Sequence, residues 1–271
     1  MQPETQAFLV FLGQVKEVVL HLGLCAARLQ GVFLIHPIVR RAELGMAVQI
    51  AISLGISLPV SVVLWPGLEG LAGRNAFPVG ILMIKELLIG LFIGLLFSVP
   101  FWAIQASGEF IDNQRTIGDS GLSDPSTSGS SSVTASLLMF SAVALFVESN
   151  GLQIISATVY GSYEYWPIRD PWPSIGKVGL AEIGYIVWDF AVTSLVVAGP
   201  VILLLFISDF TVMALSRVAG RIDISMLLPL VKNTLFCLIL LLYSQTLLHF
   251  ILGAVLGAPS VDSTLRGLAK P

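Results

Sequence analysis

Long stretches without a single charge constrain this chain more than anything else in it. Leu44 to Leu68 runs for 25 uncharged residues, the segment between Glu86 and Glu109 for 22, and Phe190 to Ser208 for 19. Each approaches or exceeds the ~20 apolar residues that carry an α-helix across a bilayer. Only 11% of the 271 residues are charged, against about 25% in an ordinary soluble domain, and the mean hydropathy is +0.89. The expected class is therefore an all-α, polytopic membrane protein built as one membrane domain. A net charge of −3 argues against nucleic acid as a partner. Cys25 and Cys237 sit in apolar surroundings without CxxC spacing, so both read as inert small hydrophobes and no disulfide is implied. Residues 1–7 carry Glu4 but no Lys or Arg, a poor start for a cleaved signal peptide, so insertion is expected to rely on internal helices.

Charges and prolines punctuate the apolar runs. Phe8 to Val39 contains Lys16, Glu17, His21, Arg28 and His36, and Lys16, His21 and Arg28 share no single face. A helix partly buried in protein fits better than one bathed in lipid. Pro37 to Glu43 makes the first turn. Pro59 is expected to kink or split the run from Leu44 to Leu68, and Glu69 to Pro78 reads as a loop. Lys85 and Glu86 enter the next run, where a charge at the bilayer centre costs roughly 2.5–3.5 kcal/mol. The pair therefore lies near an interface, meets another subunit, or is functional. Gly90 and Gly94 make a GxxxG step that permits close helix contact. Val133 to Val147 and Ser149 to Tyr163 give two 15-residue arms around Glu148-Ser149-Asn150-Gly151, a helical hairpin with short arms. Glu164 to Glu182 is a connector rich in aromatics and proline, suited to a membrane–water boundary. Asp189 and Asp209 flank the run holding Pro200, and these two with His249 are read as boundary or capping residues. Arg217, Arg221, Asp223 and Lys232 mark a polar loop before a final helix from Asn233 to Leu248, extended towards Gly257. Both flanks of that last helix are weakly positive, +1 each, so the positive-inside rule assigns no orientation.

Between two of the most apolar runs lies GEFIDNQRTIGDSGLSDPSTSGSSSV, from Gly108 to Val133. Its first part can continue a helix, with Asp112–Arg115 and Arg115–Asp119 at ion-pair spacing. Its second part, Gly118 to Ser132, holds seven serines, three glycines and a single leucine. Such a stretch buries too little apolar surface to order itself. A segment of this kind either hangs in water or fills a polar hole inside protein.

In sequence order, Lys85-Glu86, Gly90, Gly94, Pro100-Phe101-Trp102-Ala103, Gly108-Glu109, Ile111-Asp112 and Gln114-Arg115 resemble the T component of the type III secretion export apparatus and its flagellar counterpart. The Asp124-Pro125-Ser126 turn, the stretch from Ser162-Tyr163 to Pro167, and Pro200 through Asp209 into Ser216-Arg217 continue the likeness along nearly the whole chain. Ala219 to Asn233 departs from the family pattern. The resemblance implies bent helical hairpins that assemble with partner subunits instead of a conventional bundle of simple spans. It implies an R-like part over about 1–165 and an S-like hairpin over about 184–271. It also implies a non-enzymatic subunit of the export gate in the bacterial inner membrane, at the base of the secretion apparatus. Its partners would be the R, S, U and V components, membrane lipid, and unfolded secretion substrates in transit, with no cofactor or metal. Thr116, Ile117, Gly118, Asp119, Ser120, Gly121, Leu122, Ser123, Asp124 and Pro125 match the pore plug. Glu109, Asp112, Gln114 and Arg115 would anchor it, and Lys85, Glu86, Gly90 and Gly94 would serve helix packing or assembly.

Two other classes compete. A stand-alone secondary transporter would bury charges at broken helices, and Pro59, Pro100 and Pro200 do interrupt apolar runs, although no internal repeat pairs them. A membrane enzyme would need an activated nucleophile or metal site. HExxH, GxSxG and Walker motifs are missing, and the serines of the segment have no His or Lys among them to activate them.

Overall fold

The computed structural model describes residues 3–68, 76–116, 132–170, 180–219, 224–256, 261 and 264–265. Among the described residues the chain forms α1 (Pro3–Ile35), α2 (Pro37–Arg41), α3 (Met46–Leu68), α4 (Ala76–Thr116), α5 (Val133–Glu148), α6 (Gly151–Tyr165), α7 (Leu180–Ala219) and α8 (Ile224–Val255). Five of these are long and apolar enough to cross a bilayer, or six if α5 and α6 count together. The protein is an all-α membrane protein, as its composition requires. Its helices fall into two compact units: Met1–Ser98, Gly151–Ala181 and Ala258–Pro271 form one, and Val99–Asn150 with Glu182–Gly257 form the other.

In the first unit, α1 buries its C-terminal half. His21, Leu24, Cys25, Arg28, Leu29 and Val32 are all buried, at the three- and four-residue steps of one helical face. Lys16, on the N-terminal half, is exposed. The helix stops at His36 because Pro37 disfavours helical backbone in the residue before it, and His36 sits at φ −67°, ψ 125°. The proline then opens α2, where a missing N–H costs nothing. The His36 imidazole caps that helix by accepting from the Ile38 amide at 3.4 Å. Burial pushes its pKa down to about 4, which keeps the ring neutral and able to accept. The expected first turn is thus a short helix, followed by Glu43 at φ 49°.

Pro59 does not split α3, which runs unbroken from Met46 to Leu68. Proline removes one amide donor, but neighbouring helices can re-satisfy the carbonyls around such a site. The Tyr160 hydroxyl donates to the Ile56 carbonyl, next to the carbonyl at position 55 that Pro59 leaves without its usual amide. Pro100 and Pro200 likewise lie inside continuous helices. The beginning of α4 at Ala76, ahead of Pro78, follows the same logic, since the first four amides of a helix have no partner within it.

The second unit gathers the end of α4 with α5, α7 and α8. Ile111, Ala198, Val201, Leu205 and Phe236 form its buried cluster, and Phe101 meets Phe146 edge-on at 5.4 Å. Ser132 caps α5 by accepting from the Ala135 amide at 3.0 Å. α5 and α6 are separate helices, and the break between them leaves Asn150 at φ 59°, a left-handed conformation that asparagine tolerates.

Candidate functional site at the base of the serine-rich segment

The last two turns of α4 carry the residues that the sequence singles out. Asp112 accepts from the Ser132 hydroxyl, from the Thr134 amide at 2.9 Å and from the Thr134 hydroxyl at 2.6 Å. One carboxylate thereby gathers the start of α5, where backbone amides lack helical partners and favour negative charge. Arg115 lies 3.1 Å from Asp112, the pairing expected from their spacing, and its guanidinium stacks over Phe236 at 4.9 Å. Gly108 permits the approach of the two helices: a Cβ there would sit 2.3 Å from Ala135 Cα.

One turn on, Gln114 joins a second set of contacts. Its backbone carbonyl accepts from Lys232 Nζ at 3.1 Å, and its side-chain amide donates to Asp209 at 3.4 Å. Lys232 and Asp209 are themselves paired at 2.8 Å, with the lysine side chain 1% exposed and the aspartate 18%. This corrects two expectations. Lys232 belongs to α8 and not to a polar loop, so α8 begins at Ile224 and has 32 residues. Asp209 lies inside α7 and not at a cap; a buried lysine within reach supplies the opposite charge that its position requires.

Of the four expected anchors, the structure brings Asp112, Gln114 and Arg115 into this junction. Glu109 stays outside it, exposed, and accepts from Gln105 of its own helix at 3.1 Å. Thr116 is the final residue of α4. The rest of the plug match, Ile117 to Pro125, lies outside the described residues, as does the Arg115–Asp119 pair.

Lys85 and Glu86 are held in the first unit by a network within the chain, an arrangement not among the sequence expectations. Glu86 pairs with Arg28 at 2.6 Å, both side chains fully buried, and with Lys85 at 2.7 Å. Arg28 also donates to the Ser162 hydroxyl at 2.8 Å and the Trp166 carbonyl at 2.8 Å, and lies 3.8 Å over the Tyr163 ring. Lys85 Nζ donates to the carbonyls of Pro167, Ile168 and Asp170 at 2.9–3.0 Å. Two cations and one carboxylate leave an excess positive charge, which these carbonyls, in the stretch that follows α6, complement as acceptors. Gly90 and Gly94 lie against α1, and a Cβ on Gly90 would stand 1.8 Å from the Arg28 carbonyl oxygen. The glycine step thus lets the backbones approach closely enough for the network to close.

Sequence reasoning passed over Arg28, Ser132, Thr134 and Lys232 as site residues. Signals for them existed. His21 and Arg28 are seven residues apart, hence on one face. Ser132 stands directly before an apolar run, an N-cap signature. Lys232 and Asp209 each border a long uncharged stretch, where an ionisable group needs a partner. What the spacing could not show was which partner.

The family described as Bacterial export proteins, family 1, matches residues 19–257. The Yop proteins translocation protein T of Yersinia pestis is 23% identical over 223 residues, covering 82% of this chain and 84% of its own. The surface presentation of antigens protein SpaR of Salmonella typhimurium is 32% identical over 168 residues, 62% of each chain. The flagellar biosynthetic protein FliR of Bacillus subtilis is 24% identical over 147 residues, covering 53% of this chain and 56% of its own. The matched region contains both charged networks and every helix from the buried half of α1 to α8, so this multi-pass inner-membrane chain belongs to the bacterial export proteins, family 1, as a T component of the type III export apparatus.

Proposed function

We propose that this export-apparatus subunit helps to form the inner-membrane gate through which unfolded proteins leave, and that its serine-rich segment, with Thr116 to Pro125 at its head, plugs the pore. Its role is structural and not catalytic. It works with R, S, U and V components, and its R-like part (about 1–165) and S-like hairpin (about 184–271) each take the place of one partner-like piece in the assembly. The observation that carries this reading is the junction at Asp112, which ties the start of α5 to the end of α4 and so holds both ends of the segment at one place. Small polar residues between fixed ends can fill a polar opening yet move aside, because few apolar contacts retain them. The transporter alternative has no comparable support: Arg28, Glu86, Lys85, Asp209 and Lys232 are all engaged in ion pairs within the chain. Deleting residues 118–131 while leaving Ser132 tests the plug. Ion leakage through the assembled gate rises if the segment stops the pore. Unchanged conductance in a complex that still assembles would rule the plug out.

A further inference from the structure

We infer that Lys232, held by Asp209, is the positioning residue that holds the last described turn of α4 and hence the point from which the serine-rich segment continues. The argument starts from an ordinary deficit. The last four carbonyls of an α-helix have no amide partner within it, and the described part of α4 runs to Thr116. The Gln114 carbonyl is one of these four, and its partner comes from a different helix: Lys232 Nζ of α8, at 3.1 Å. An ammonium is the favoured group at that end of a helix, where the peptide dipoles sum to partial negative charge.

The cap is held firmly in place. Lys232 is 1% exposed and would be costly alone, but Asp209 neutralises it at 2.8 Å. The Gln114 side chain closes the ring by donating to Asp209 at 3.4 Å. Three helices therefore meet at the turn from which the segment leaves. At its other end Asp112 holds Ser132 and Thr134. Departure and return are set by separate groups, Lys232 for one and Asp112 for the other. The polar residues between contribute too little apolar burial to choose their own position, so the capped end decides where the segment starts. Only this functional consequence rests on the plug reading; the cap itself does not.

Hydrogen–deuterium exchange on the purified export assembly tests the inference. In Lys232→Met, amides in the last turn of α4 should exchange about 3- to 30-fold faster, while the middle of α8 keeps its wild-type protection. Lys232→Arg should restore slow exchange. Exchanging the pair, Asp209→Lys with Lys232→Asp, should not, because it keeps the ion pair but turns a carboxylate towards the Gln114 carbonyl. If Lys232→Met does not accumulate, Asp209→Asn carries the same measurement with a smaller increase. Wild-type exchange in Lys232→Met or in Asp209→Asn, or rescue by the exchanged pair, overturns the cap. Faster exchange with unchanged leakage on deleting 118–131 keeps the cap and removes the plug. Raised leakage on deletion with wild-type exchange does the reverse.

Discussion

Each compact unit holds a network of charge among its described residues, Arg28–Glu86–Lys85 in one and the Asp112 junction in the other, and the two differ in how they meet water. In the Arg28–Glu86–Lys85 network the side chains are 0%, 0% and 6% exposed. Its donors end on the Glu86 carboxylate and on carbonyls and a hydroxyl from the single stretch 162–170, far along the chain from Arg28 and Lys85. At the Asp112 junction the aspartate is 13% exposed and Arg115 25%, and the bonds run to hydroxyls and helix-end amides. A sealed ion pair cannot exchange one partner for water without a large penalty. A partly exposed one can, because water competes for the bonds it makes. The first network is therefore a staple that locks α1, α4 and the end of α6. The second is a junction whose bonds can be exchanged for bonds to water.

The largest effect that would test this contrast comes from unpairing the sealed network. Arg28→Met should destabilise the protein by about 3–5 kcal/mol, because Glu86 is left buried without its main partner. Accumulation in the membrane and thermal stability in detergent are the measurements. Replacing all three, Arg28→Met with Glu86→Met and Lys85→Met, should recover much of the loss, and a triple variant no better than the single would show that the network is not a paired unit.

A titration adds a second distinction, since the first unit also contains the buried cap of α2. The folded pKa of His36 lies near 4, below its ordinary value near 6.5. The unfolded chain takes up the proton first as pH falls. Stability from the neutral ring is complete above about pH 6.5, is lost as pH falls from there towards 4, and changes little below that. Between pH 7 and 4.5 the wild type should lose about 2 kcal/mol more than His36→Gln. Equal losses in parallel melts would place the acid sensitivity elsewhere.

The smallest stability effect belongs to the open junction. Asp112→Asn keeps one acceptor oxygen but loses the charge that Arg115 and the α5 amides favour, for a cost of about 1 kcal/mol. Glu109→Gln, outside the junction, should change stability by no more than a few tenths. The functional ranking should be reversed. Asp112→Asn should raise ion leakage at near-normal protein levels, whereas Arg28→Met should act mainly by removing the protein. Similar leakage from Asp112→Asn and Glu109→Gln would erase the difference between anchor and bystander.

Much of the architecture was legible because hydropathy is a local property. The runs ending at Leu68, Gly108 and Ser208 announce helices whatever they touch, and Gly90 announces a close approach. Helix limits were harder. Lys232 looked like a loop residue because a lone charge in an apolar run resembles an interruption, and Pro59 looked like a break because the Tyr160 hydroxyl that supports its helix is 101 positions away. At the candidate site, Asp112 and Arg115 were readable as neighbours on one helical face. Ser132 and Thr134 were not readable as their partners.

The amino-acid order alone determined that the chain is helical, lies in a membrane, and carries one segment too polar to bury itself. Those outcomes depend on the side chain at each position and its near neighbours. The tertiary structure decided which charges neutralise one another: Arg28 with Glu86 across 58 residues, and Lys232 with Asp209 and the end of α4. Pairing depends on distance in space, and a charge within an apolar run states only that a partner is needed.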